Sequence, residues 1–259
     1  MNRWLLVAGL LLLGACATTP GPSSIRQPLA QQTAVGEART RAKTRVELGT
    51  AYFQDKQYGT ALEEARKAMA ADVSYAPAYS LLGMIYMELG QNVAAADAFD
   101  KALRLAPGDP DISNNYGWFL CQTGQAAKSV EHFRVAINDP LYRSPGLAMV
   151  NAGVCLVRMG EDKGAEGYFL AALKLDSENV RALFEIASLY LRQGRIAESR
   201  QRISELHALV EPTAESAWLA VRIAHLRGTK QDEAAFASIL RRKFPASPET
   251  QKLLQGQFE

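Results

Sequence analysis

Small and aromatic residues return along this chain at a fixed interval. Leu82-Gly83, Tyr86, Ala95, Phe99, Ala102 and Pro107 define one unit, with Tyr79 three residues ahead of Leu82. Thirty-four residues earlier stand Leu48-Gly49, Tyr52, Ala61, Ala65 and Ala68; 34 later stand Tyr116-Gly117, Leu120, Ser129, Phe133 and Ala136. Two extra residues precede the next set, Ala152-Gly153, Leu156, Ala165, Phe169 and Ala172. Ile186-Ala187, Tyr190, Ser199 and Ile203 follow, and a degenerate last unit holds Trp218, Val221, Ala234 and Pro245. A second series, Gly90, Gly124, Gly160, Gly194 and Gly228, recurs where each unit would turn. A period of this length marks a repeat architecture, because one unit cannot bury its own apolar stripe and must stack on its neighbours.

The pattern resembles the tetratricopeptide repeat, a pair of antiparallel helices. The spacing has a physical cause. A Gly at the eighth position and an Ala at the twentieth remove side chain where the helices cross, and Tyr and Phe fill the wider gaps beside them. Pro near the thirty-second position lacks an N–H and suits a helix boundary. Abundant Ala and Leu favour helix. The expected fold is all-α, a tetratricopeptide superhelix of about six repeats near 42–75, 76–109, 110–145, 146–179, 180–213 and 214–247, within a domain spanning 39–259. The terminal SPETQKLLQGQFE is expected to add a short helix over the last pair.

The start of the chain reads differently. Arg3 precedes an apolar run from Trp4 to Leu13, too short to span a bilayer of roughly 30 Å, and this reads as a signal peptide, 1–15. Leu13-Gly14-Ala15-Cys16 resembles the lipobox of bacterial lipoproteins. That resemblance implies lipidation of Cys16 and cleavage before it, and Ala17 by the same resemblance implies the outer membrane. Several acyl chains together anchor stably where one does not. Residues 16–38, rich in Pro, Ser, Thr, Gly and Gln, are expected to be a lipidated N-terminus and flexible linker.

In the repeat register, Asn114, Asn115, Trp118 and Gln122 fall on the face of a first helix that lines the concave groove, beside the packing residues Tyr116 and Gly117. Asn151 occupies the position of Asn115 one repeat on. Two such amides can bind the backbone of an extended segment, each offering a donor and an acceptor. Ser80, Met84, Met87, Val150, Val154 and Phe184 hold nearby groove positions and are mostly apolar, which favours an apolar or amphipathic partner segment. The alternative for Trp118 and for part of this set is ordinary packing between repeats.

With Cys16 committed to lipid, Cys121 and Cys155 remain. They sit on neighbouring first helices, so a disulfide stapling two repeats is one expectation and a pair of buried thiols the other. No nucleophile–base–orienter set is visible, so the chain is not expected to be an enzyme. His132, His207 and His225 share no ligand spacing and read as surface-like helix positions. No metal site, cofactor or small-molecule substrate is expected, and a net charge of +2 gives no electrostatic footprint for nucleic acid.

Asn114-Asn115-Tyr116-Gly117-Trp118-Phe119-Leu120-Cys121 resembles a run in the type IV pilus biogenesis lipoproteins of the PilF/PilW family. Asp139-Pro140-Leu141-Tyr142, Pro145, Asn151-Ala152-Gly153 and the LRRKFPASPE segment are similar too. The resemblance implies a pilotin: an outer-membrane lipoprotein on the periplasmic face that binds the pilus secretin and promotes its localisation and oligomerisation. Some relatives are linked instead to stability of the fibre. A lipidated adaptor of another envelope machine, such as outer-membrane protein assembly, is the alternative. The insertion NDPLYRSPG is expected to form a stiff loop, either a partner contact or only a lengthened turn.

Overall fold

The structure, a computed structural model, describes residues 29–258, with side chains from residue 34 onward. The expected signal peptide and Cys16 lie outside the described residues. Thirteen helices and no strands are found among those described, and residues from Ala38 onward form one compact unit. Six hairpins make up the all-α tetratricopeptide superhelix: α1 (Leu29–Gln54) with α2 (Tyr58–Ala71), α3 (Ala76–Glu88) with α4 (Asn92–Leu105), and α5 (Pro110–Gln122) with α6 (Ala126–Asn138). They continue as α7 (Pro145–Arg158) with α8 (Asp162–Leu175), α9 (Val180–Arg192) with α10 (Ile196–Leu209), and α11 (Ala214–Arg227) with α12 (Lys230–Lys243). Helix α13 (Pro248–Leu254) follows, and its Leu253 is buried with Trp218, Val221 and Leu240 of the last hairpin.

One expectation is corrected at the N-terminal side. Helix α1 begins at Leu29, inside the stretch read as flexible linker. The last proline of that stretch is Pro28, and from there to Ala42 the chain is mostly Ala, Gln, Glu, Arg and Leu, all good helix formers. Composition averaged over 16–38 hid that change.

The helix crossings show why each repeat carries its own residue pair. Gly83, Gly117 and Gly153 lie under the rings of Phe99, Phe133 and Phe169, all three rings fully buried. In the fifth repeat Ala187 meets Ile203, and in the sixth Val221 meets Ala237, so the larger residue has changed helix. In the first repeat Gly49 and Ala65 are both small, and Leu81 from the next repeat fills the space. Each crossing is filled by a different set of residues, as a close-packed interior requires. Ser129 and Ser199 replace Ala at another fully buried contact, and each hydroxyl donates to a carbonyl, of Ala126 and Ala187, at 2.7 Å. That satisfies the polar atom that burial would otherwise penalise.

The first helices start on prolines or side-chain caps. Pro110 and Pro145 open α5 and α7, and Asp109 and Asn179 accept from the Ile112 and Ala182 N–H groups at 3.0 and 2.9 Å. In the insertion between the third and fourth repeats, Tyr142 is buried against Ala136 and Ala148 while Leu141 is 87% exposed. The loop is held by its own Asp139, which accepts from the Leu141 N–H at 2.7 Å.

Candidate functional site

First helices of successive hairpins touch one another, α3 to α5, α5 to α7, α7 to α9 and α9 to α11. Three depressions lie along them. One, about 410 Å³, is bounded by Val46, Phe53, Ser80, Leu81, Met84, Ile112 and Asn115. The middle one, about 250 Å³, is bounded by Met84, Asn114, Asn115, Trp118, Leu147, Asn151 and Arg181. The third, about 460 Å³, is bounded by Val180, Arg181, Phe184, Leu206, Val210 and the start of α11. Met84 and Asn115 belong to the first two and Arg181 to the last two, so the depressions form one continuous groove. All three are mostly apolar; the ends are roomier and carry Asp109 and Asp111 on one side and Glu211 and Glu215 on the other, whereas the narrower centre carries three amides and Arg181.

The structure sorts the sequence-predicted residues. Ser80, Met84, Asn114, Asn115, Trp118 and Asn151 come together in the first two depressions, and Phe184 lines the third. Val150 does not reach the groove: it is 1% exposed and packs with Ala182, Ile186 and Leu189. Its position on the helix points into the following repeat. Val154 also packs against that core, and Met87 packs against the Phe99 cluster. Gln122 is exposed and accepts from Arg158 Nη1 at 2.8 Å.

The amides are not independent, as pairwise reading assumed. Asn151 Nδ2 donates to Asn114 Oδ1 at 3.0 Å, Asn114 Nδ2 to Asn115 Oδ1 at 3.4 Å, and Asn115 Nδ2 to Ser80 Oγ at 3.2 Å. The relay crosses three repeats and uses a donor of every amide. Trp118 is not a bare aromatic face either. The guanidinium groups of Arg158 and Arg181 lie 5.4 and 5.6 Å from its ring centroid, in the range of a cation–π contact. Sequence reasoning missed both arginines, because one Arg at a helix end and one in a first turn look solvated.

Below Trp118 the chain is stapled. Cys121 and Cys155 form a disulfide between α5 and α7, with Cα atoms 5.7 Å apart. It ties together the helices that carry Trp118 and Asn151. The histidines are half-buried rather than on the surface: His132 stands edge-on to Tyr116, His207 packs on Phe236, and His225 stacks on Phe258 at 4.0 Å. Burial lowers the pKa of His132 and of His207. Among the described residues no cluster of His, Cys, Asp or Glu could hold a metal ion.

The repeat assignment is matched by comparison with known proteins. Tetratricopeptide repeat models fit residues 76–109 and 151–206. The type IV pilus assembly protein PilF of Pseudomonas aeruginosa is 26% identical over 249 residues, 96% of this chain and 95% of that protein. The crystal structure of PilW, a type IV pilus biogenesis factor, superposes with a TM-score of 0.75 at 28% identity, covering 82% of this chain and 98% of PilW. This chain is a homologue of PilF and PilW. The solved structure of P. aeruginosa PilF agrees, with a TM-score of 0.73 at 25% identity over 86% of this chain and 99% of PilF. In this PilF and PilW homologue the groove and the disulfide beneath it are features of the repeat stack itself.

Proposed function

We propose that this chain is a non-enzymatic adaptor of type IV pilus biogenesis. Lipid on Cys16 holds it on the periplasmic face of the outer membrane, and its groove binds the pilus secretin and promotes secretin localisation and oligomerisation there. The observation that carries this reading is the end-to-end relation to PilF, together with a continuous groove suited to an extended polypeptide. Helical-repeat stacks offer long concave surfaces for such binding. Among the described residues no group of His, Cys, Asp or Glu that could hold a metal ion competes with the groove for this role.

The test is Cys16→Ala in the native host. Secretin multimers in the outer-membrane fraction should fall sharply, and surface pili with them. Normal multimers in that fraction would reject the anchoring mechanism. Affinity capture from envelope extracts addresses the partner. Secretin should be recovered; recovery of barrel-assembly subunits without secretin would place the chain in outer-membrane protein assembly instead.

A further inference from the structure

The centre of the groove holds an unmet hydrogen-bond demand. Asn151 is 5% exposed, and while its Nδ2 donates to Asn114, its Oδ1 has no partner. Leaving a buried amide oxygen unpaired is costly, and native structures that do so have a reason. The relay from Ser80 through Asn115 and Asn114 therefore ends, at the fourth repeat, in an unpaired acceptor shielded from solvent, which an incoming N–H reaches when the side chains over it move aside.

Beside that acceptor, one indole holds two cations. Arg158 is steadied by Gln122 and Arg181 leans on the other guanidinium's platform, Trp118. Neither arginine has an ion-pair partner within 4.0 Å among the described residues. The one acid whose titration feels both is the half-buried Glu185. Two guanidinium groups against one carboxylate leave a positive charge unmatched on the exposed rim of the groove.

We propose that the centre of the groove binds an internal Asp or Glu of an extended partner segment, its backbone N–H donating to Asn151 Oδ1 and its carboxylate paired with Arg158 and Arg181. The residue is internal because mostly apolar depressions flank the centre on both sides, one at Val46, Phe53 and Ile112, the other at Val180, Phe184 and Val210, and the carboxylates at their edges, Asp109 and Asp111 at one and Glu211 and Glu215 at the other, keep the acidic residue at the centre. A chain terminus would leave one of them empty. Neighbouring helices pack about 8–10 Å apart, so α3 to α9 spans about 30 Å, or about nine residues at ~3.3 Å each. The segment is thus apolar at both ends and acidic in the middle. This inference rests on the adaptor reading above.

The experiment uses the full chain in detergent and an array of nine-residue peptides blocked at both ends. The outer positions carry Leu, Val, Ile or Phe, and the centre carries each residue in turn. Peptides with central Asp or Glu should bind about tenfold more tightly than those with Asn or Gln. Arg158→Gln with Arg181→Gln should erase that preference and leave Gln-centred peptides unaffected. N-methylation of the central residue should weaken binding to the unmodified protein, and by less to Asn151→Ala. Binding without an acidic preference, a preference that survives the double Gln variant, or a preference only for a free terminal carboxylate each overturns the proposal and leaves the adaptor reading standing. If no peptide binds at all, the groove reading falls and this proposal with it.

Discussion

The ring of Phe99 fills the space that a side chain on Gly83 would need: a Cβ on Gly83 would stand 2.8 Å from ring carbon Cε2. The repeat two steps beyond Gly117 solves the same crossing with Ala187 and Ile203. Gly83→Ala alone should cost about 1–3 kcal/mol by overpacking. Combining it with Phe99→Ile, which copies the fifth repeat, should cost less than the sum of the single changes by about 1 kcal/mol. Urea denaturation of the four proteins gives the coupling. Strict additivity would show that the two sites do not compensate.

Lys56 is the one described non-glycine residue with a positive φ, 59°. It occupies the turn position held by Gly90, Gly124, Gly160, Gly194 and Gly228 in the later repeats. The turns match in detail: Gln57 N–H donates to Tyr52 C=O at 2.8 Å, as Gln91 N–H does to Tyr86 C=O. Lysine pays for this left-handed conformation and glycine does not, so Lys56→Gly should stabilise the first hairpin by about 0.5–1 kcal/mol after its larger unfolded-state entropy is counted. Hydrogen exchange of α1 and α2 amides would detect slower local opening. Faster exchange would show that strain at Lys56 is not what limits that hairpin.

The Cys121–Cys155 bridge closes a loop of 34 residues. Loop-closure entropy for that length is about 3–4 kcal/mol. Cys121→Ala with Cys155→Ala should lower the denaturation midpoint by a corresponding amount, and reductant should lower that of the native chain but not of the variant. A loss below about 1 kcal/mol would mean that packing alone already holds α5 to α7.

Stability should fall as the solution is acidified from pH 7 to pH 5. His132 and His207 have folded-state pKa values below the ordinary imidazole value of 6.5, because burial disfavours their charged forms. The unfolded chain therefore binds protons more readily. Their full contribution is present above pH 6.5 and is lost as pH drops through and below that value. Glu64 acts lower. Hydrogen bonding from Lys67 in the first place, with Arg45, depresses its pKa from 4.5, so its contribution is present above that value and lost below it. A His132→Phe, His207→Leu variant should show a flatter midpoint between pH 7 and pH 5. An unchanged slope would assign the acid sensitivity to other groups.

Much of the fold was legible before any coordinates, because it depends on local rules. A Gly under a Phe, an Ala at a crossing and a Gly in a turn are contacts within one hairpin, between residues less than 34 apart, so where they occur they recur at the period of the hairpin. The same register placed Ser80, Met84, Asn115, Trp118 and Asn151 on one face. It misplaced Val150, because position on a helix does not say how far the next repeat leans over it.

What the chain determined by itself was the hairpin, its crossing residues and the face each first helix presents. Only the stacking of hairpins decided that Arg158 and Arg181, from different repeats, meet on the ring of Trp118, and that Asn151 keeps one oxygen without a donor. The reason is geometric. Within a helix, side-chain direction follows from a fixed rotation per residue, whereas contacts between repeats depend on the offset and tilt between whole helices, set by the packing of every residue at the seam.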